Sequence, residues 1–284
     1  MFSDILLTVD FDRTLTAPDT TIPQRNLEAI AWFMANGGTF TVNTGRSVPM
    51  TRPFLDQISV NAPLLLYNGS AAYDPATGEI SQPAIIAADM WQLIEKLQEK
   101  FPQFVVEVQG VDAHYCTSED QAWAALSQHN RCAWGFAKPG QDLGPFLKLA
   151  IYGEIRDVTI AHLFEGTAEE KQEMDNVQKW IEETFGDKVQ VFRAAARILD
   201  LHAPEVSKGR AARNLQKRLG KKYLVCVGDG ENDVPMLDEA DFSYCPADGV
   251  VADRYATVCP CAEGAVADVI YKKLPEILKN DLDN

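Results

Sequence analysis

The 284 residues, 46% hydrophobic and 24% charged, are enough for about two domains and rule out wholesale disorder. Forty-one acidic against 26 basic residues leave a formal net charge of −15, which speaks against a nucleic-acid or anionic-membrane partner. No run approaches the ~20 apolar residues that span a bilayer.

The longest basic cluster, Lys217, Arg218, Lys221 and Lys222, reads as a helix end in water. Met-Phe-Ser-Asp places an acid where a secretory signal carries its basic region, and the apolar run from Ile5 is too short for one. The six cysteines form no CxxC pair and the four histidines are scattered. Reduced thiols in a cytoplasm are therefore expected, and no zinc site. Cys259-Pro-Cys261 reads as buried packing before a metal or redox pair.

The first elements alternate strand and helix. Ile5 to Phe11 predicts a strand, and Leu27, Ile30, Ala31 and Met34 a helix stopped by Gly37 and Gly38. Thr39 to Asn43 is a second strand, Pro49 to Ile58 a helical stretch, and Leu64 to Tyr67 a third strand closed by Asn68-Gly69. From about Gln82 the pattern loosens: a helix (Met90 to Lys100), strands (Phe104 to Val108 and near Tyr115) and a helix near Ser118 to His129. A strand (Phe146 to Tyr152), a polar helix (Thr167 to Phe185) and a strand (Val189 to Arg193) complete this part. The alternation then returns, with a strand at Ile198 to His202, helix Lys208 to Leu219 and buried strand Tyr223 to Val227. A short helix, Val234 to Ala240, and a closing one, Ala265 to Leu278, end the chain. Short strand–helix–strand units imply a parallel sheet with right-handed crossovers. The expected class is α/β: a Rossmann-like parallel-sheet core from 1–81 and 197–284, with an inserted α+β domain at 82–196.

Val9-Asp10-Phe11-Asp12-Arg13-Thr14-Leu15 delivers two carboxylates two residues apart at the end of an apolar strand. Open α/β sheets bind ligands there. While the chain stays extended both acids face one way, and their joint ionisation calls for a cation or a shared proton. A second buried strand ends in Gly228-Asp229-Gly230-Glu231-Asn232-Asp233, with carboxylates four apart that would share one face if the chain turns helical. Together the two strand ends suit magnesium, which keeps several waters and takes few protein ligands. Asp233 alone also reads as a helix cap. Thr44-Gly45-Arg46 offers a hydroxyl and backbone N–H groups to an anion, or a plain N-cap. Lys208 opens a helix as a point charge for phosphate, or as a surface lysine, and Asn68-Gly69 reads equally as a turn.

In combination and order, Asp10-Phe-Asp12-Arg-Thr-Leu, Thr44-Gly45-Arg46, Lys208 and Gly228-Asp229-Gly-Glu-Asn-Asp233 resemble the four motifs of the haloacid dehalogenase-like hydrolases. Asn68-Gly69, Thr20-Thr-Ile-Pro and Asn232-Asp-Val-Pro-Met-Leu resemble their Cof-type phosphatases, and the insert matches that branch's α/β cap. The resemblance implies Asp10 as nucleophile forming an aspartyl-phosphate and Asp12 as general acid and base. It implies magnesium on Asp10, the backbone carbonyl of Asp12, and Asp229, with Asp233 and Asn232 supporting the metal shell and phosphate. Thr44, Gly45 and Lys208 would hold phosphoryl oxygens, with Asn68 and Arg46 near the substrate. The expected activity is hydrolysis of a small phosphorylated metabolite, a sugar phosphate first among them. Phosphomutase chemistry on the same scaffold and a phosphate-binding module without turnover are the competing readings. The sequence departs from DxDGT in one place: Arg13 stands where that pattern has glycine.

Overall fold

The structure, a computed structural model, describes residues 1–86, 89–120, 123, 124, 127, 132–154 and 165–282. The helix expected near Ser118 to His129 falls largely outside them. In chain order the strands are β1 (Ile5–Val9), β2 (Thr39–Val42), β3 (Leu64–Leu66), β4 (Ala71–Tyr73), β5 (Ile80–Ser81), β6 (Val105–Gln109), β7 (His114–Cys116), β8 (Trp134–Phe136), β9 (Lys148–Tyr152), β10 (Gln190–Ala195), β11 (Ile198–His202), β12 (Tyr223–Val227), β13 (Phe242–Pro246) and β14 (Ala256–Val258). The helices are α1 (Gln24–Ala35), α2 (Val48–Thr51), α3 (Met90–Lys100), α4 (Ala168–Phe185), α5 (Lys208–Arg218) and α6 (Val234–Glu239), before a closing helical run from Ala265 to Leu282.

Two compact units result. The first comprises Met1–Thr44, Phe54–Ser81 and Ser207–Asn284. Its five-stranded sheet, β14-β13-β12-β1-β2, is parallel throughout. A parallel strand covered on both faces reads as an unbroken apolar run, and all of β1 is buried. Ile5, Leu6, Leu7 and Val9, at roughly 1.5–3 kcal/mol each, fix the strand firmly enough to carry acids at its end. Helix α1 buries Asn26, Ala29, Ile30 and Phe33, a stripe that keeps Ile30 but is rotated from the one predicted through Leu27, Ile30, Ala31 and Met34. The cause is Asn26, whose side chain donates to the Leu15 carbonyl (2.9 Å) and accepts from the Ala267 amide (2.9 Å).

The second unit comprises Gly45–Pro53 and Gln82–Val206. Its six-stranded sheet, β10-β11-β9-β6-β7-β8, is antiparallel except for β7 with β8. Helices α3 and α4 cover one face with Leu93, Leu97, Val177 and Ile181 among others. The segment 197–284 was expected to belong wholly to the first unit. Instead β11 pairs with β9 and β10, because Leu199 and Leu201 join the apolar face of this antiparallel sheet. The helix expected over Pro49 to Ile58 amounts to α2 and one tight turn, Arg52–Phe54. No helix among the described residues is long and apolar enough to cross a membrane.

Candidate active site

Register assembles the site at the carboxyl edge of the parallel sheet. Val9 lies opposite both Val227 on β12 and Val42 on β2, so the three strands end level. Asp10 follows directly, its amide donating to the Val227 carbonyl (2.9 Å). Thr44 and Asp229 come two residues after the neighbouring strands end, where such sheets place their ligands. Residues Phe11–Leu15 then form a wide turn, closed by the Leu15 amide on the Asp10 carbonyl (3.2 Å) and the Thr16 amide on the Phe11 carbonyl (3.0 Å).

Asp10, Asp229 and Asp233 are buried and bring carboxylate oxygens within 4.8 Å of one another. The fully buried Lys208 ammonium donates to Asp10 Oδ1 and Asp233 Oδ1, both at 2.6 Å. The other oxygen of Asp233 accepts from the amides of Asp229 and Gly230, both at 2.9 Å, which braces the Gly228–Asp233 loop. Thr14 donates to Asp229 Oδ1 (3.0 Å) and so ties the two acidic strand ends together. Asp12 is half-buried, and its carboxylate is not among the three that converge. Of the four residues expected at a metal, three therefore meet through side chains. The resemblance had assigned Asp12 only through its backbone.

Lys208 owes its position to the start of α5. Ser207 caps that helix, accepting from the Arg210 amide (3.1 Å), and Asn43 Nδ2 donates to the Lys208 carbonyl (2.8 Å). A Cβ at Gly69 would lie 2.5 Å from the Ser207 carbonyl, and its φ is +97°, so only glycine lets this turn approach α5. Beside it the Asn68 amide donates to the Thr44 carbonyl (3.0 Å), and Asn232 Nδ2 donates to Asn68 Oδ1 (3.3 Å). Thr44, Asn68 and Asn232 thus belong to one hydrogen-bonded rim within the first unit. Gly45 and Arg46 fall in the second unit, where Arg46 donates to the Met50 carbonyl (3.4 Å).

Three converging carboxylates with one ammonium, bonded to two of them, leave an uncompensated excess of negative charge in a buried place. Burial, with Asp233 next, raises the Asp10 pKa well above the usual carboxylate range despite the opposing Lys208. Burial, then Asp233, pushes Asp229 up to about 7. Burial works to lower the Lys208 pKa, but Asp10 and Asp233 outweigh it and keep the ammonium charged. An all-oxygen donor set with excess negative charge fits a hard divalent cation.

These shifts give a testable sign. A carboxyl whose folded pKa is raised stabilises the fold below its unfolded pKa, and that contribution is lost as pH rises through the folded value. In chelator-treated protein, wild type is expected to lose stability relative to Asp229→Asn between pH 4 and 7, by at most roughly 4 kcal/mol. Denaturant melts at several pH values measure it, and parallel pH curves for the two proteins would contradict the assignment.

A second polar cluster, unforeseen in the sequence, occupies one face of the second unit's sheet. Ser47 Oγ lies 2.7 Å from His114 Nε2, and His114 Nδ1 lies 3.1 Å from Glu107 Oε1. Trp123 and Gln109 also donate to Glu107. Burial works to raise the Glu107 pKa, but His114 and these donors hold its carboxyl below the usual range. Lys148 pairs with Asp200 (3.0 Å) and donates to the Gly45 carbonyl (2.8 Å), fixing the peptide next to Thr44. The signal was period-two alternation in Val105-Val-Glu-Val-Gln109 and Ile198-Leu-Asp-Leu-His202, which reads as a solvent face.

A five-stranded parallel sheet with buried acids at its carboxyl edge, and a second unit built on an antiparallel sheet, define an α/β fold class. A family model for haloacid dehalogenase-like hydrolases matches residues 7–252, and the chain belongs to that family. It is 24% identical over 248 residues to mannosyl-3-phosphoglycerate phosphatase of Pyrococcus furiosus, covering 83% of this chain and 88% of that one. It is 23% identical over 287 residues to pyridoxal phosphate phosphatase of Escherichia coli, covering 95% and 98%. Among solved structures, a haloacid dehalogenase-like hydrolase from B. subtilis superposes with a TM-score of 0.78 at 17% identity, covering 94% of this chain and 99% of that one. The chain is thus a hydrolase of the Cof type, from a family with phosphatase members.

Proposed function

We infer that this chain is a magnesium-dependent phosphatase of small phosphorylated metabolites, a sugar phosphate first among them, working through an aspartyl-phosphate on Asp10. The observation that carries the reading is the buried convergence of Asp10, Asp229 and Asp233 on one another, with the Lys208 ammonium bonded to the first and third. Asp10, Asp229 and the Asp12 carbonyl would hold magnesium, with Asp233 bracing them, and the ion would offset phosphoryl and carboxylate charge. Asp10 Oδ attacks phosphorus, and the bond from phosphorus to the leaving oxygen breaks. Asp12 gives its proton to that oxygen. Asp12 then takes a proton from water as the water oxygen attacks, and the bond from phosphorus to Asp10 breaks. Lys208 and Thr44, with the Gly45 amide, stabilise the phosphoryl oxygens. Asn68, Asn232 and Arg46 serve the substrate in this scheme, and the unit carrying Gln82–Val206 selects among leaving groups. Six free thiols suit a reducing compartment, and the cytoplasm is the proposed location.

The test is phosphate release from p-nitrophenyl phosphate, hexose phosphates and nucleotides, with magnesium or with EDTA. Magnesium-supported turnover that falls on the order of 10²-fold or more in EDTA is expected. Undiminished hydrolysis in metal-free buffer would refute it.

A further inference from the structure

Arg13 follows Asp12 in the turn that carries both proposed catalytic acids, and its backbone is left-handed, at φ 59°. A residue with a Cβ sits there against a steric penalty that glycine would escape. A backbone outlier of this kind at a candidate site invites a functional account. The side chain is exposed. Arg25, Arg52, Arg193, Arg197, Arg213 and Arg254 each lie against a carboxylate. Arg13 forms no ion pair among the described residues; only its backbone amide bonds, to Thr16 Oγ1 at 3.3 Å. Yet it lies three residues from Asp10, one of three buried acids whose oxygens meet, and its charge is felt at Asp229. Of those acids Asp10 and Asp233 are bonded by the buried Lys208, whereas Arg13 is exposed.

An exposed guanidinium with no internal partner is suited to a bidentate pair with a carboxylate or phosphate. On the phosphatase reading above, on which this inference rests, the transferring phosphoryl group already has Lys208 and Thr44. Arg13 adjoins Asp12, the residue that protonates the leaving oxygen, and so belongs to the leaving-group side. We propose that Arg13 selects phosphomonoesters whose leaving group bears a second anionic group, a carboxylate or a second phosphate. In a chain of net charge −15 it supplies local attraction for a substrate that the molecule as a whole repels.

The experiment compares wild type, Arg13→Gln and Arg13→Lys on two matched pairs: glycerol 3-phosphate against 3-phosphoglycerate, and glucose 6-phosphate against glucose 1,6-bisphosphate. Within each pair the readout is the ratio of kcat/KM for the more anionic ester over its partner. In Arg13→Gln that ratio is expected to fall about 10- to 100-fold, chiefly through KM, as for a lost charge-assisted hydrogen bond. Arg13→Lys should retain part of it, and added salt should narrow it in wild type. The pair with the larger fall tells carboxylate from phosphate. An equal ratio in wild type and Arg13→Gln for both pairs overturns the proposal. Absence of turnover on every ester defeats the phosphatase reading instead. Calorimetric binding of 3-phosphoglycerate then decides on Arg13 separately: weaker binding by Arg13→Gln supports its role, and equal binding ends it.

Discussion

Asp10→Asn is expected to abolish turnover, by about 10³-fold or more, while leaving the protein folded. The amide is nearly isosteric with the carboxylate and can still accept from Lys208, so the 2.6 Å contact has a successor. It cannot form the acyl phosphate, so the covalent route closes, whereas loss of one stabilising contact would cost far less. The stability readout separates this from unfolding. The raised Asp10 pKa means that its surroundings disfavour the ionised form, Lys208 notwithstanding. Replacing a buried, strained charge by a neutral amide should therefore keep or raise Tm in chelator near pH 8, where wild type carries the full repulsion. Phosphate release with a thermal melt on the same sample makes the measurement. A folded variant with wild-type rates would remove Asp10 as nucleophile.

Much of the candidate site was legible because it is local. An apolar strand ending in acids, a glycine-flanked loop and a helix headed by a lysine each fit within a few residues. Parallel register then lines them up without further instruction: Val9 opposite Val227 is enough to set Asp10 near Asp229. Less legible was whatever depends on two faces of one element. Helix α1 was read by its apolar residues, but Asn26 sets its phase through two buried hydrogen bonds that no hydropathy pattern carries. Strand β11 opens the closing segment in sequence, yet its alternation, with Leu199 and Leu201 on one face and Asp200 and His202 on the other, belongs to an antiparallel sheet. The polar half of that alternation reads as solvent-facing; here it is buried, since Lys148 meets Asp200 across the strands. Strands β13 and β14 were missed altogether. Phe242-Ser-Tyr-Cys-Pro246 and Ala256-Thr-Val258 are short and mixed, and their places come from pairing beside β12.

Removing the positive charge at Lys208 should be the costliest single change to the fold at this site. Lys208→Met keeps an unbranched side chain of similar length in a position with no exposure, but leaves Asp10 and Asp233 buried without their counter-charge. Breaking a buried pair in this way costs roughly 3–5 kcal/mol. The lysine's own titration does not enter: its pKa is raised, so its contribution persists up to pH values above the ordinary 10.5. The pH dependence of the variant comes from Asp10. With no ammonium to oppose burial, the raised Asp10 pKa climbs further, so the deficit should be large at pH 8 and shrink toward pH 5, where Asp10 takes up a proton. A divalent cation should restore part of the loss at pH 8, by binding only the folded state. Turnover should fall on the order of 10²-fold or more even in samples melting well above the assay temperature, because the same ammonium faces the phosphoryl oxygens in the proposed reaction. A stability deficit independent of pH would contradict the charge argument. Full activity in the folded variant would confine Lys208 to holding Asp10 and Asp233 in place.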